Sequence, residues 1–282
     1  HVWNTNVDGA KHLVDVGRAL APGARILFVS TASVVTAPER GYIDEDAPFD
    51  GIEEAEDHAR DRALASTGAA DDGIQAFCFR FHLTKDRSNQ VPVEKPAGFD
   101  REDYRHLLDQ MAAGRVTAFS QVIQLYPMPG GSYEVNSDHP HPETGVPAES
   151  LDLAEENWGW PEAGPEERRR IFDRYWSHNE GLVWLLQNDP AVPARIREEA
   201  EQWGFPKDEF TDNDNWPHQL YVREARRMIS DYVMTQHDCE GKRSAPDPVG
   251  LGSFGMDSHA VQHYVTEDGH AQTDGVIWRL PP

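Results

Sequence analysis

Two stretches in the second half of the chain place apolar residues at helical spacing. The first begins at Pro165, which suits the first turn of a helix because its missing N–H needs no partner there. Glu166 and Glu167 follow, and their charges favour the positive end of a helix. The apolar stripe consists of Ile171, Tyr175, Leu182, Leu185 and Leu186. Asn188-Asp189-Pro190 ends this helix, and a second one is predicted over residues 193–203.

Three patterns organise the region before these helices. Aromatic residues alternate with other side chains over residues 74–84, which predicts a strand after a turn at Asp71-Asp72-Gly73. Asp100 can cap a helix that ends at Gly114. Its apolar positions have i, i+3, i+4 and i+7 spacing and are Tyr104, Leu107, Leu108 and Met111. Residues 127–150 are rich in Pro, Gly, Ser, Asn and His, so we expect a long ordered loop there.

The first 50 residues have a different pattern. Apolar residues between Val7 and Gly17 recur at helical spacing, Pro22-Gly23 stops that helix, and residues 25–30 form a short apolar run typical of a parallel strand. An acidic, alanine-rich stretch follows and becomes a turn or linker near residue 66. We therefore predict two parts: an α/β fragment (helix plus parallel-type strand) with its linker over residues 1–66, and an α+β substrate-type domain over residues 67–282.

Composition excludes several classes of partner. The chain has 49 acidic and 26 basic residues, a formal charge of −23, which opposes binding to nucleic acid or an anionic membrane. No apolar run approaches the roughly 20 residues that span a bilayer. Cys78 and Cys239 are too few for a disulfide framework or a zinc ribbon. The start at His1, without methionine, reads as a piece cut from a longer protein. A small molecule is the expected partner.

The N-terminal fragment resembles the extended short-chain dehydrogenase/reductase family, including its thioester-reductase branch. The resemblance rests on Asn6-Val7-Asp8-Gly9-Ala10 and on Phe28-Val29-Ser30-Thr31-Ala32, and it implies that Thr31 takes the position of the catalytic hydroxyl residue. No Tyr-x-x-x-Lys pair occurs, and Tyr42 has no lysine four residues later that could lower the pKa of its phenol. A working reductase site is therefore not expected.

Four motifs in the remaining chain occur in the same order as in another family. They are Gln75-Ala76-Phe77-Cys78-Phe79-Arg80 with Leu83-Thr84, Pro92-x-Glu94-Lys95-Pro96-x-Gly98-Phe99-Asp100, Glu156-Asn157-Trp158, and the stretch that opens with Trp216-Pro217-His218. With these motifs residues 73–278 resemble the FAD-dependent oxidoreductases. The resemblance implies FAD as cofactor and a substrate domain inserted into a doubly wound FAD domain whose N- and C-terminal parts we expect to lie outside this chain.

Candidate site residues concentrate between Trp216 and Gly269. Arg223, Arg226 and Arg227 could neutralise a flavin or an anionic substrate, or could instead pair with Glu224, Asp231 or Asp238. His259 beside Asp257 could act as an acid or base, because imidazole titrates near neutrality, or be a structural histidine. His218 follows Trp216-Pro217, a restricted turn that could direct it into a cleft.

Two further patterns in this stretch are weaker. His259 and His263 have the spacing of metal ligands on a helix, with His237 and Cys239 nearby, but a metal site is not the favoured interpretation. Gly250-x-Gly252-x-x-Gly255 follows Pro248 rather than an apolar strand, so it is not expected to hold a dinucleotide. Periodicity over residues 222–233 is helical, whereas the family resemblance implies a sheet there.

The sequence therefore predicts an FAD-dependent oxidoreductase, of which this chain contains the substrate-domain portion. Two alternatives stay open. One is an NAD(P)-dependent short-chain reductase of the thioester type, and the other is a non-catalytic or chimeric chain that joins two family fragments near residue 66.

Overall fold

The computed structural model describes residues 72–138, 147–226, 228–239, 241–246, 248, 250, 256–265, 271–275 and 277–280. Its helices are α1 (Arg105–Ala112), α2 (Pro165–Asn188), α3 (Ala194–Ala200) and α4 (Gln236–Cys239). Its strands are β1 (His82–Leu83), β2 (Gln90–Val91), β3 (Leu125–Pro127), β4 (Tyr133–Val135), β5 (Phe205–Pro206), β6 (Met256–Ser258), β7 (Gln262–Val265), β8 (Ala271–Asp274) and β9 (Ile277–Leu280). Short 3-10 turns cover Arg87–Asn89, Glu102–Tyr104 and Phe119–Gln121.

The described strands form small antiparallel sheets. β4 lies between β1 and β3, while β2 pairs with β5, β6 with β9, and β7 with β8. Strands this short cannot bury a face of their own, so helices must cover them. The described part is a mixed α and β structure, in agreement with the coarse prediction.

The helices begin and end close to where the sequence predicts. α2 spans Pro165–Asn188 with proline in its first turn, and the backbone N–H of Asp189 closes its last turn on the Leu185 carbonyl at 2.9 Å. The Asp100 carboxylate accepts from the Glu102 N–H at 3.0 Å before α1. Gly114 has a φ of +73° after α1, a conformation that glycine adopts without strain. The limits of α2 and the end of α1 near Gly114 are confirmed. However, α1 begins at Arg105 with Tyr104 rather than Asp100 at its N-cap, and α3 ends at Ala200, three residues early.

The core is rich in aromatic rings that gather around Trp216, which is 1% exposed. Phe81 stacks on its ring at a centroid distance of 4.8 Å, and Trp176 of α2 stacks on it at 5.6 Å with an interplanar angle of 3°. Phe79 and Phe205 contact it edge-on. Large rings bury much apolar area per residue, so this cluster joins the 74–84 run to α2 and β5.

Three predicted segments differ in the structure. Residues 74–84 are extended but form regular strand only at β1, with isolated bridges at Cys78–Tyr221 and Thr84–Gly204. The predicted loop over 127–150 contains strand β4, because Val135 is fully buried against the core. In residues 222–235, apart from Arg227, the chain is neither helix nor strand, and Ile229 is 97% exposed.

The N-terminal predictions lie outside the described residues. They are the helix near residues 7–17, the strand at 25–30, Thr31, Tyr42 and the boundary near residue 66. Within the part of the chain that is described, no helix is both long and apolar enough to cross a membrane.

One acidic side chain of α2 makes the stability of this core depend on pH. The Trp176 indole N–H donates to Glu180 Oε2 at 2.7 Å. Burial, with the nearby carboxylates of Glu94 and Asp214, raises the Glu180 pKa to about 7, although the indole bond opposes the shift. Because the folded protein holds this proton more tightly than the unfolded chain does, the associated stability is complete below pH 4.5 and is lost as the pH rises through about 7.

We therefore expect Glu180→Gln to flatten the pH dependence of stability between about pH 5 and pH 8, since a neutral amide still accepts the Trp176 bond. Urea unfolding across this range measures the effect. The exposed Glu198→Gln variant is the control and should keep the wild-type slope. Parallel pH profiles for wild type and Glu180→Gln would contradict the assignment.

Candidate functional site

A group of charged and titratable side chains brings together separate segments of the chain: the buried Arg223, Asp152 and His259 and the partly exposed Asp138. Arg223 Nη2 lies 3.1 Å from Asp152 Oδ1, and His259 Nδ1 lies 2.8 Å from Asp152 Oδ2. Asp138 Oδ2 lies 3.7 Å from Arg223 Nη2 and 3.8 Å from His259 Nε2. We call these four residues the charged network. Asp152 is at its centre, because each of its carboxylate oxygens contacts a different partner.

The backbone of residues 75–79 holds the network in place. The Ala76 N–H donates to the Ala260 carbonyl at 2.7 Å, which fixes the position of the neighbouring His259. The Tyr221 N–H donates to the Cys78 carbonyl at 2.9 Å, which fixes the position of Arg223. The Arg223 Nε–H then donates to the Ala76 carbonyl at 2.9 Å. The extended run is therefore the common support on which the Arg223 and His259 segments meet.

Side chains of α2 satisfy the other backbone groups of this run. The Phe77 N–H donates to the Tyr175 hydroxyl at 3.3 Å and the Phe79 N–H donates to Asn179 Oδ1 at 3.0 Å. A buried N–H must find a partner, and here the partners are side chains rather than a neighbouring strand. This is the physical reason that a run with strand-like sequence does not become a regular strand.

Electrostatics keep Arg223 charged although its side chain is only 8% exposed. Burial alone would lower its pKa, but the carboxylates of Asp152 and Asp138 raise the pKa above the ordinary value. Cys78 Sγ lies 3.4 Å from Arg223 Nη2, yet burial raises the pKa of this thiol, so Cys78 stays protonated and is not an activated nucleophile.

The contacts of His259 determine which ring nitrogen carries the proton. A carboxylate only accepts hydrogen bonds, so the contact with Asp152 assigns a proton to Nδ1. The other ring nitrogen, Nε2, lies 3.8 Å from Asp138 Oδ2. The backbone N–H of His259 donates to Gln75 Oε1 at 2.9 Å, which fixes the ring from its main chain as well. Such a carboxylate–imidazole pair is an arrangement suited to acid–base chemistry.

Three buried polar atoms near His259 have no hydrogen-bond partner in the described structure. They belong to Gln75 (Nε2), Asn157 (Oδ1) and Ser258 (Oγ). All three residues are tied to this site: Asn157 Nδ2 donates to the Gln75 carbonyl at 2.7 Å, and Ser258 precedes His259. Buried polar atoms without partners cost free energy, and functional sites are where folded proteins tolerate that cost.

The structure places the predicted catalytic residues in different surroundings. His259 is buried in the charged network, and the carboxylate that it contacts is Asp152. Asp257 lies in β6, and its side chain is outside what the structure describes. His218 is 52% exposed and lies 3.0 Å from Asp212, so its observed contacts do not involve the network. Of the two histidines, whose side chains are described, the structure therefore brings only His259 to the network.

The predicted cofactor-binding arginines are likewise separated. Arg223 is buried against Asp152, whereas Arg226 is exposed and makes two hydrogen bonds with Glu162, at 2.8 and 2.7 Å. Arg227 lies outside the described residues. In the described structure the acidic partners of Arg223 are Asp152 and Asp138 and that of Arg226 is Glu162. Glu224 instead accepts from the Gln75 N–H at 2.7 Å.

His259 and His263 do not share a helix. His259 precedes β7 and His263 lies within it, where His263 Nδ1 is 2.9 Å from Thr273 Oγ1 of β8. Among the residues that the structure describes, no group of three or more His, Cys, Asp or Glu side chains could hold a metal ion.

Sequence reasoning missed Asp152, Asp138 and the role of Gln75. Asp138 lies within the segment interpreted as a loop and Asp152 follows it, and no periodicity there marks an inward-facing carboxylate. Gln75 and Asn157 lie within the family motifs, and this was the signal in the sequence that could have marked them as site residues.

The burial of the network predicts a large effect for Asp152→Ala. Removing this carboxylate leaves the buried charge of Arg223 with only the more distant carboxylate of Asp138 beside it in the described structure. We expect this to lower the free energy of unfolding by about 3–5 kcal/mol. Glu162→Ala removes the partner of the exposed Arg226 and is the matched control, with little expected change because water solvates both ions. Urea unfolding of the full chain measures both. Equal losses in the free energy of unfolding for Asp152→Ala and Glu162→Ala would show that burial does not determine how strongly the network stabilises the fold.

Comparison with known proteins identifies the family. A family model for FAD dependent oxidoreductases matches residues 28–281, which include every residue of the charged network and cross the boundary placed near residue 66. Searches of curated proteins and of solved structures found no match. The predicted family and its cofactor, FAD, are confirmed, whereas nothing in these comparisons supports the short-chain reductase resemblance. The chain belongs to the FAD-dependent oxidoreductase family.

Proposed function

We propose that residues 67–282 form the α+β substrate domain of this FAD-dependent oxidoreductase and that the enzyme oxidises or reduces a small molecule. The charged network is the observation that supports this proposal. Its three buried members combine an imidazole that contacts a carboxylate with a compensated positive charge. Buried charged groups concentrate at functional sites, where chemistry offsets the cost of burying them.

The two predicted cofactor-binding arginines whose side chains are described, Arg223 and Arg226, do not fit the diphosphate of FAD. Phosphate groups need N–H donors or cations, but the Arg223 charge is balanced by Asp152 and the Arg226 charge is balanced by Glu162 through two hydrogen bonds. Of the Gly250–Gly255 run, only Gly250 is described. The described region is therefore proposed to serve the substrate, and FAD contacts are assigned to no residue in it.

His259 is proposed as the acid–base residue. Oxidation of an alcohol or amine releases a proton from its O–H or N–H group, and Nε2 of an imidazole whose Nδ1 is held by a carboxylate can accept it. Asp152 is proposed as a positioning residue, since it fixes the ring and its tautomer through Nδ1. Arg223 prevents Asp152 from taking the proton itself, because the adjacent positive charge favours the ionised carboxylate.

Asp138 is proposed as the entry to the network. Its side chain is 21% exposed, against 5% for His259 and 2% for Asp152. A substrate or a water molecule therefore reaches His259 Nε2 from the side of Asp138. The carboxylate could also pass a proton between this nitrogen and solvent.

The other hypotheses have less support. The short-chain reductase hypothesis depends on Thr31, which lies outside the described residues, and the comparisons do not favour it. A chimera joined near residue 66 is not favoured either, because the family match runs through that position. Asp257, His218 and the arginine roles in cofactor binding stay predictions.

The role of His259 predicts the behaviour of His259→Gln. The FAD-loaded enzyme is mixed without oxygen with a panel of small alcohols, amines and hydroxy acids, and loss of the oxidised-flavin absorbance reports turnover. For a compound that reacts, we expect His259→Gln to lower the rate about 10²- to 10⁴-fold and to remove one ionisation from its pH profile. Asp152→Asn should also lower the rate, because the amide no longer fixes the imidazole tautomer.

Two histidine variants serve as comparisons in this experiment. His237→Gln alters an exposed histidine and should react like the wild type. Loss of reaction in His218→Gln, with a wild-type rate and pH profile in His259→Gln, would overturn the assignment and transfer it to His218. Unfolding midpoints of every variant separate a lost reaction from a lost fold.

A further inference from the structure

A second candidate site lies in a surface groove between the turn at Phe119–Gln121, strand β3 and helix α3. Its volume is about 690 Å³, within the range of sites that hold small organic molecules. Apolar and aromatic side chains form its walls, and Ser120, Gln124, Arg195 and Glu199 provide its polar groups. The aromatic side chains are Phe119, Tyr126 and Trp203. No residue of the charged network lines this groove.

Neighbouring residues pack against the aromatic wall. The rings of Phe119 and Trp203 stack at a centroid distance of 6.1 Å, and Tyr133 meets Trp203 edge-on at 5.3 Å. Lys85 Nζ lies 4.6 Å from the Trp203 ring centroid and 2.5 Å from Glu199 Oε1. Lys85 therefore compensates the charge of Glu199, so the acidic residue of the groove does not repel an anion as an isolated carboxylate would.

Arg195 supplies a positive charge with no partner in the described structure. Among the lysines and arginines whose side chains are described, it alone makes no hydrogen bond, ion pair or ring contact; each of the others makes at least one. Glu199, one turn later on α3, is occupied by Lys85. The chain has a formal charge of −23, so an arginine without an acidic partner is unusual in it.

We propose that this groove binds a small aromatic carboxylate. The planar apolar part would lie against Phe119 and Trp203 beside the half-exposed Tyr126, and the carboxylate would pair with Arg195, whose fork of N–H donors matches two oxygens. Ser120 and Gln124 can complete the hydrogen bonds of the bound group. Charge complementarity selects this ligand class over a neutral aromatic molecule or an organic cation.

Isothermal titration calorimetry of the full chain without FAD tests the proposal, with naphthoate as the probe and naphthalenemethanol as its neutral counterpart. We expect naphthoate to bind more tightly than the alcohol and to lose affinity as salt screens the ion pair. Arg195→Gln should weaken naphthoate binding about five- to tenfold and leave the alcohol unchanged. Tyr126→Ala should weaken the binding of both compounds.

Two control variants locate the binding. Arg170→Gln alters an exposed arginine of α2 that pairs with Glu167, and His259→Gln alters the charged network; neither should change naphthoate affinity. The proposal is overturned if naphthoate does not bind, if the alcohol binds equally well, or if Arg195→Gln binds naphthoate like the wild type. Loss of binding in His259→Gln alone would place the ligand at the network instead. Because no flavin is used, these outcomes are independent of the proposed enzymatic role.

Discussion

The buried ion pair between Arg223 and Asp152 is the interaction on which the described structure depends. Removing two charges from water costs several kcal/mol for each ion, and their attraction repays this only with good geometry and additional hydrogen bonds. Both conditions are met: Arg223 also donates to the Ala76 carbonyl, and Asp152 also accepts from His259. Moving any one of these segments would leave a buried charge without its partner. The pair therefore fixes the relative positions of segments that are far apart in the sequence.

The same pair links the fold to the proposed chemistry. The extended run at residues 75–79 presents Phe77 and Phe79 to the aromatic core and α2, while its backbone and Gln75 hold Arg223 and His259. Two sets of contacts therefore hold the network in place. Core packing fixes the run at residues 75–79, and the ion pair fixes Arg223 relative to Asp152. An imidazole held from its ring and its main chain can keep one orientation through a reaction, which is what acid–base catalysis needs.

The sequence predicted local elements better than it predicted the site. The limits of α2 followed from Pro165 and Asp189-Pro190, because these residues act on the chain next to them. Residues 75–79 were expected to form a strand, but Tyr175 and Asn179 take its backbone groups, and no local pattern reveals a partner 100 residues away. His259 was identified from its chemistry, whereas its carboxylate was sought at the neighbouring Asp257 and found at Asp152. Long-range pairing is decided by tertiary packing, which a single sequence does not display.

A double-mutant cycle on Arg223 and Asp152 tests the central claim most directly. The free energy of unfolding is measured for wild type, Arg223→Met, Asp152→Asn and the double variant. If the pair is one buried unit, each single change leaves an uncompensated charge or an unpaired donor, and the double variant is about as stable as either single variant, with a coupling energy of about 2 kcal/mol or more. Two effects that simply add, within about 0.5 kcal/mol, would contradict the account.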